Sequence, residues 1–234
     1  MKKILLSLTI AASLLFFVNT SKVEADGFVA YGDSNTIGSY FETYGYDLNN
    51  RWIIKTGAIN AGVSGDYTNR ALKRFNVDVL SKNPDTISIM FGLNDGLLFD
   101  NGKPQVDKIT FEKNITSMVT QLKAKKVKVL LMTNIPVQQS LYYSKYPQKK
   151  HLYADKGGIR IWMNGYNEII RKVAKAQKVQ LIDNYVNAWI KAGGGAGSDA
   201  QLLNSGLVAP DGYHWSQKGH DMISYSVKYY LSRN

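Results

Sequence analysis

The chain has 234 residues, with 29 Lys and Arg against 18 Asp and Glu, a formal net charge of +11 and no cysteine. Without cysteine, disulfides, thiolate metal sites and lipid attachment through a lipoprotein cysteine are excluded. The basic residues are scattered and no recognition motif accompanies them, so nucleic acid is not the expected partner; the charge suits anionic surfaces such as cell-wall polymers or lipid headgroups, or serves solubility alone.

At the N-terminus, Lys2 and Lys3 precede an apolar run from Ile4 to Val18, and Val23-Glu24-Ala25 stands where a signal peptidase reads. Residues 1–25 therefore read as a secretory signal peptide cleaved before Asp26, which predicts a secreted protein. An uncleaved anchor is the alternative, but the run is shorter than the ~20 apolar residues of a spanning helix. The segment carries Lys2, Lys3 and Lys22 against Glu24, a net +2, so residues 26–234 keep +9 of the +11. That stretch is long enough to bury a core unaided by disulfides, and one domain, a monomer, is expected over 26–234.

Phe28 to Tyr31 is a short apolar run that reads as a buried strand, and Gly32 allows a sharp turn that leaves Ser34 at its C-terminal edge. A second strand lies near Ala58–Asn60, followed by Gly65 and a helix over about Tyr67 to Ser81. Thr86 to Phe91 reads as a third strand ending in Gly92, so Asn94 emerges at the same edge as Ser34. Phe111, Ile115, Met118, Val119 and Leu122 recur at helical spacing before a strand over Val127–Met132. Lys123, Lys125, Lys126 and Lys128 form the densest basic cluster, where a helix C-terminus favours cations in any case. Val137 to Gly158 reads as an irregular stretch bordering the site, with Tyr142, Tyr143, Tyr146 and Tyr153 among lysines. Those tyrosines either contact substrate or pack on the body of the protein.

Trp162, Tyr166, Ile169, Ile170 and Val173 make another helical stripe, and Val179–Ile182 a further strand. Gly193 to Pro210 reads as irregular, its Gly193-Gly194-Gly195 a flexible hinge without the Lys-Ser/Thr ending of a phosphate loop. Ser216 is placed to cap a last helix in which Met222, Ile223, Val227 and Tyr230 face the sheet. The alternation predicts an α/β fold: a three-layer α/β/α arrangement with a flavodoxin-like parallel sheet of about five strands and helices on both faces.

The chemistry begins at Asp211 and His214. Three positions apart within a turn, a carboxylate can accept the imidazole Nδ1–H and fix the tautomer that lets the ring take a serine proton. Ser34 is the candidate nucleophile. A side-chain amide at Asn94 and the unobstructed backbone N–H of Gly65 are candidate donors to an oxyanion. Each residue alone has a plainer reading, as a turn, a cap or a satisfied histidine. His220, one turn into the last helix, reads as structural or surface, and His151 lies in a loop with no acidic partner at motif spacing.

Together, Gly32-Asp33-Ser34-Asn35-Thr36, Asn60-Ala61-Gly62-Val63-Ser64-Gly65-Asp66, Gly92-Leu93-Asn94-Asp95 and Asp211-Gly212-Tyr213-His214 resemble, in order, the four sequence blocks of the SGNH or GDSL hydrolases. The resemblance implies a Ser34, Asp211 and His214 triad, an oxyanion hole of Ser34, Gly65 and Asn94, and no metal or cofactor. Asn35 departs from the family name, which has Leu there. The expected function is a secreted serine ester hydrolase working through an acyl-enzyme on short acyl groups, including O-acetyl groups on carbohydrate, with Tyr142, Tyr143 and Tyr146 near the substrate. The alternatives are a lipolytic enzyme of lysophospholipase or thioesterase type, an acyltransferase, and a non-catalytic glycan-binding protein on the same scaffold.

Overall fold

The structure is a computed structural model and describes residues 27–194 and 197–233. Residues 1–25, the expected signal peptide, and Gly195 of the expected hinge lie outside the described residues. Five parallel strands form one sheet in the order β2-β1-β3-β4-β5: β1 (Phe28–Gly32), β2 (Ile59–Gly62), β3 (Thr86–Met90), β4 (Lys128–Met132) and β5 (Gln180–Ile182). The order reverses direction at β1, between β2 and β3, which is where open α/β sheets leave a crevice beyond their strand ends.

The helices are α1 (Ser34–Ile37), α2 (Trp52–Thr56), α3 (Thr68–Asp78), α4 (Lys108–Ala124), α5 (Gln139–Lys145), α6 (Ile159–Gln177), α7 (Asn184–Lys191), α8 (Asp199–Ser205) and α9 (Gln217–Leu231). The two-residue period of the strands divides the core. Val29, Tyr31, Ile87, Ile89, Val129 and Leu131 face α3, α4 and α6, and meet the two helical stripes legible in the sequence, led by Phe111, Met118 and Tyr166. Phe28, Ala30, Met90, Leu130 and Met132 point the other way, onto Trp52, Ala188, Ile223 and Val227 of α2, α7 and α9. The result is the expected three-layer arrangement. Its ends are capped by side chains: Asp107 accepts from Ile109 N and Thr110 N at α4, and Ser216 accepts from Gly219 N at α9, as expected.

Two expectations are corrected. Val137 to Gly158 is ordered as α5 and a 3-10 turn over Pro147–Lys156, started by the Gln138 side chain accepting from Leu141 N. It closes over a third apolar cluster of Leu93, Leu98, Tyr142, Leu152, Tyr153 and Met163 beyond the sheet edge. Within Gly193 to Pro210, α8 forms on a reciprocal cap between Ser198 and Gln201.

Candidate active site

Ser34 is the first residue of α1. Directly before it, Asp33 turns its side chain to accept from Asn35 N at 2.8 Å and so caps the short helix. Gly32 is required for space, since a Cβ there would collide with the Thr36 side chain and lie 2.6 Å from Met90 O. The turn therefore packs against β3 and presents Ser34 over the sheet edge. From the far end of the chain, the loop before α9 carries His214 to meet it: Ser34 Oγ lies 2.8 Å from His214 Nε2, and His214 Nδ1 lies 2.8 Å from Asp211 Oδ2.

Asp211 is fixed from several directions. Its Oδ1 accepts the backbone N–H of Tyr213 (3.1 Å) and His214 (3.0 Å), and its Oδ2 also accepts Tyr44 O–H at 2.7 Å. Burial opposes its charge, but the hydrogen bond and charge of His214, the Tyr44 hydroxyl and the Tyr213 N–H hold it well below the usual carboxylate range. An ionised Asp211 accepts only, so the ring proton sits on Nδ1 and Nε2 is free to receive the Ser34 proton. The imidazole lies between two tyrosines, with ring centroids 4.1 Å away for Tyr40 and 4.2 Å for Tyr213. One face of an imidazole holds one six-membered ring at such distances, so the two take opposite faces and offer π density to an imidazolium.

The two residues expected as donors stand on other loops beyond the strand ends. Gly65 adopts φ +69, a left-handed conformation that disfavours other residues, and a Cβ there would meet nothing within 4 Å. Its glycine is thus demanded by backbone conformation and not by crowding from the protein. Asp66 next to it is fully buried and held by Arg74, whose guanidinium also reaches Asp78, Ala61 O and Gly32 O. Asn94 donates from Nδ2 to Asp66 O at 2.9 Å and to Asp33 Oδ2 at 3.2 Å, bringing three of the sequence islands into contact. Burial raises Asp33 to about 7 and Asp95 to about 6, although Asp33 takes an N–H from Asn35 and Asp95 takes hydrogen bonds from Thr68 and Gly92 N.

Of the three tyrosines expected near substrate, two line a cleft. Tyr142 and Tyr146, with Leu97, Leu98, Phe99 and Tyr213, border a space of about 310 Å3 that adjoins His214 through the Tyr213 ring. Tyr143 instead accepts from Ile159 N at 2.9 Å and ties α5 to α6. His151 is exposed and takes no part. His220 is fully buried and not at the surface: Nδ1 accepts from Trp52 N at 3.1 Å, so Nε2 carries the proton it shares with Tyr40 Oη at 2.8 Å. Burial, then the charges of Arg51, His214 and Lys55, lower it to about 3, and it stays neutral.

Sequence reasoning missed Tyr40 and Tyr44, whose only signal is the aromatic richness of residues 40–46, and Arg74, which has none. It also left Asn35 unexplained. That side chain is fully buried; Oδ1 accepts from Trp215 N at 3.0 Å and Tyr40 O–H at 3.2 Å, and Nδ2 donates to Tyr213 O at 3.4 Å. A leucine could make none of these contacts, so Asn35 clasps the histidine loop to the serine turn.

Comparison with known proteins agrees with this arrangement of blocks. A model of the GDSL-like lipase/acylhydrolase family matches residues 30–222. The chain is 39% identical over 227 residues to an uncharacterized lipoprotein, YqeF, of Bacillus subtilis strain 168, a match covering 90% of this chain and 92% of that protein. Among solved structures it is similar to a GDSL-like lipase from Bacteroides thetaiotaomicron, with TM-score 0.66, 24% identity and 90% of each chain covered. It is also similar to a catalytic mutant of an acetylxylan esterase from Geobacillus stearothermophilus, with TM-score 0.64 and 18% identity over 89% of this chain and 94% of that one. At those identities the two structures speak for the fold alone.

Proposed function

The chain belongs to the GDSL-like lipase/acylhydrolase family, and on that premise we propose that it is an exported serine esterase that cleaves short acyl groups through an acyl-enzyme. The observation that carries this reading is the unbroken hydrogen-bonded line from Ser34 through His214 to Asp211, 2.8 Å at each step. Ser34 Oγ attacks the ester carbonyl carbon as its proton passes to His214 Nε2. The tetrahedral oxyanion is met by the N–H groups of Ser34 and Gly65 and by Asn94, whose longer contact, to Asp33, is the one that gives way. Collapse expels the alkoxide, which takes the proton from His214; water then repeats the sequence and releases the acid.

Acetyl groups on carbohydrate fit the reading because Tyr142, Tyr146 and Tyr213 line the cleft, and tyrosine combines an apolar ring with a polar hydroxyl, as a sugar combines C–H faces with hydroxyls. The esterase on acetylated xylan among the structural neighbours is in keeping with it. A second reading, lipolysis of longer acyl chains, draws on the same cleft, because Leu97, Leu98 and Phe99 give it an apolar wall. Export rests on the segment 1–25. The relative from Bacillus subtilis is by name a lipoprotein, whereas this chain offers no cysteine for a lipid thioether, which favours release over lipid anchoring. No helix among the described residues is long and apolar enough to cross a membrane. The surplus of basic residues would then hold the enzyme near anionic wall polymers or lipid headgroups.

Ser34→Ala tests the core of the reading. Hydrolysis of p-nitrophenyl acetate should vanish with circular dichroism and melting unchanged, and a fluorophosphonate should label the wild type once per chain and the variant not at all. Unchanged turnover would refute the assignment, and an unlabelled wild type would favour the glycan-binding alternative. A chain-length series of esters, set beside acetylated xylan and lysophosphatidylcholine, separates the acetyl from the lipolytic reading; best cleavage of acyl chains of about ten carbons or more would decide for lipolysis. Product partitioning between water and an added sugar acceptor exposes an acyltransferase.

A further inference from the structure

Asp211 Oδ2 accepts two hydrogen bonds, one from His214 Nδ1 and one, at 2.7 Å, from the Tyr44 hydroxyl. Tyr44 closes the 3-10 turn Glu42–Tyr44, and its ring belongs to none of the three apolar clusters; among the described residues its ring-to-ring contacts are with Tyr40 at 6.3 Å and Tyr46 at 6.0 Å, while its hydroxyl makes the directed contacts. Its oxygen in turn accepts from Lys145 Nζ at 3.0 Å, and that ammonium lies 5.6 Å from the Tyr44 ring centroid and 5.8 Å from that of Tyr146. Lys145 is the last residue of α5, and Tyr146 beside it lines the apolar cleft.

We propose that Tyr44 is a positioning residue of the reaction, held by Lys145, which orients Asp211 from the side opposite His214 and joins the wall of the substrate cleft to the charge-bearing pair. The proposal rests on the acyl-enzyme reading above. The donors converge on the carboxylate from two sides: ammonium to phenol oxygen and phenol O–H to Asp211 Oδ2 on one, imidazole N–H to the same oxygen on the other. A phenol polarised by a cation is the stronger donor, and a donor to a charged acceptor is the stronger kind of hydrogen bond. With both bonds in place Oδ2 has one orientation in which to serve, and the imidazole ring is fixed with it. An occupant of the cleft that displaces Tyr146 moves its neighbour Lys145, and so alters the hold on Asp211.

The charge balance around the pair sets the sign of the effect. The titratable groups facing Asp211 and His214 are Tyr40, Tyr44 and Tyr46 from the segment after α1, Tyr213 from their own loop, Lys145 and Tyr146 from α5 and its end, and His220 from α9, with Arg51 and Lys55 behind His220. His220 is neutral through the working range, and the phenols that shift are raised, so Lys145 supplies the cation nearest to Asp211 in this set. Removing the Tyr44 hydroxyl leaves more negative charge on Asp211 for the imidazolium; removing Lys145 lifts a repulsion from it. Both changes strengthen the attraction between Asp211 and the imidazolium formed in the reaction.

The test is Tyr44→Phe, Lys145→Gln and Lys145→Arg, assayed on p-nitrophenyl acetate across pH with fluorophosphonate labelling in parallel. Tyr44→Phe should lower kcat about tenfold, the worth of one hydrogen bond to a charged group, with KM within about twofold. In both Tyr44→Phe and Lys145→Gln the acid limb of kcat/KM should move to higher pH, and Lys145→Arg should restore it. The shift in Lys145→Gln should shrink at high salt, because the lysine is exposed and screened. A wild-type profile in Tyr44→Phe overturns the proposal, as does a fall in kcat with no movement of the acid limb, which is what a packing defect alone produces. An unlabelled wild type would instead defeat the acyl-enzyme reading itself, so the two failures are told apart.

Discussion

Asn94 carries two demands on one amide. Its bond to Asp66 O at 2.9 Å fixes the side chain at the sheet edge, while the contact to Asp33 at 3.2 Å holds the second N–H in reserve. If that N–H meets the oxyanion, its effect appears in the transition state and not in the ground state, because charge on the carbonyl oxygen develops only there. Asn94→Ala should therefore lower kcat on p-nitrophenyl acetate by about 10²–10³ with little change in KM. An unchanged kcat, with the variant as stable as the wild type, would leave the oxyanion to backbone donors alone. At this scale the contacts of Ser34 with His214 and of His214 with Asp211 were legible, because each residue stands in a short block with its own turn chemistry. Tyr44, Tyr40 and Arg74 were not. Tyr44 meets Asp211 across 167 positions and Arg74 meets Gly32 across 42, and no local pattern announces such approaches. Asn35 was visible only as a departure, since its partners at Tyr213 and Trp215 are brought to it by the fold.

Among the elements, the five strands were read within two residues, α3 ends three residues before the expected Ser81, and those held by tertiary contact were missed. The stripe from Phe111 to Leu122 falls wholly on the buried face of α4. By contrast α5 and the 3-10 turn after it mix tyrosine with lysine and contain Pro147, so neither the strand nor the helix period emerges. They form because Gln138 caps α5, Tyr142 and Tyr153 are buried, and Tyr153 Oη accepts from Leu98 N at 3.2 Å. The seam between α5 and the histidine loop is held backbone against backbone. Gln138 N donates to Gly212 O at 2.8 Å, Gly212 sits at φ +83, and a Cβ there would lie 2.5 Å from both Gln138 O and Tyr142 N. Gly212→Ala thus adds left-handed strain to a clash with backbone that cannot rotate away, at a combined cost of about 2–5 kcal/mol. Thermal unfolding should shift down accordingly, and esterase activity should fall further than stability does, because the loop that retreats carries Asp211 and His214. A variant with wild-type melting and wild-type kcat would show the seam to be softer than this geometry requires.

For the molecule as a whole, three buried titratable groups around the site set how stability depends on pH, and they oppose one another. His220 titrates at its ordinary 6.5 when unfolded but at about 3 in the fold, so between those values the unfolded chain binds a proton that the native state refuses. Its contribution is complete above pH 6.5 and is lost as pH falls. Asp33 and Asp95 run the other way: their ordinary 3.8 becomes about 7 and about 6, so the native state binds the extra protons and loses stability as pH rises through that window. Asp211, lowered in the fold, acts mainly below 3.8 and leaves the interval from pH 4 to 6 to the other three. There the two carboxyls outweigh the one imidazole by a single proton, and each proton corresponds to a slope of about 1.4 kcal/mol per pH unit. Folding free energy from urea titrations at pH 4.5, 5.0 and 5.5 should therefore decline gently with rising pH in the wild type. In His220→Gln, where the opposing imidazole is gone, the decline should be about twice as steep. The slope is the quantity to read, because any substitution at a fully buried site whose ring holds Trp52 N and Tyr40 Oη lowers the absolute value at every pH. Equal slopes in wild type and variant would mean that His220 keeps its ordinary affinity for protons inside the fold.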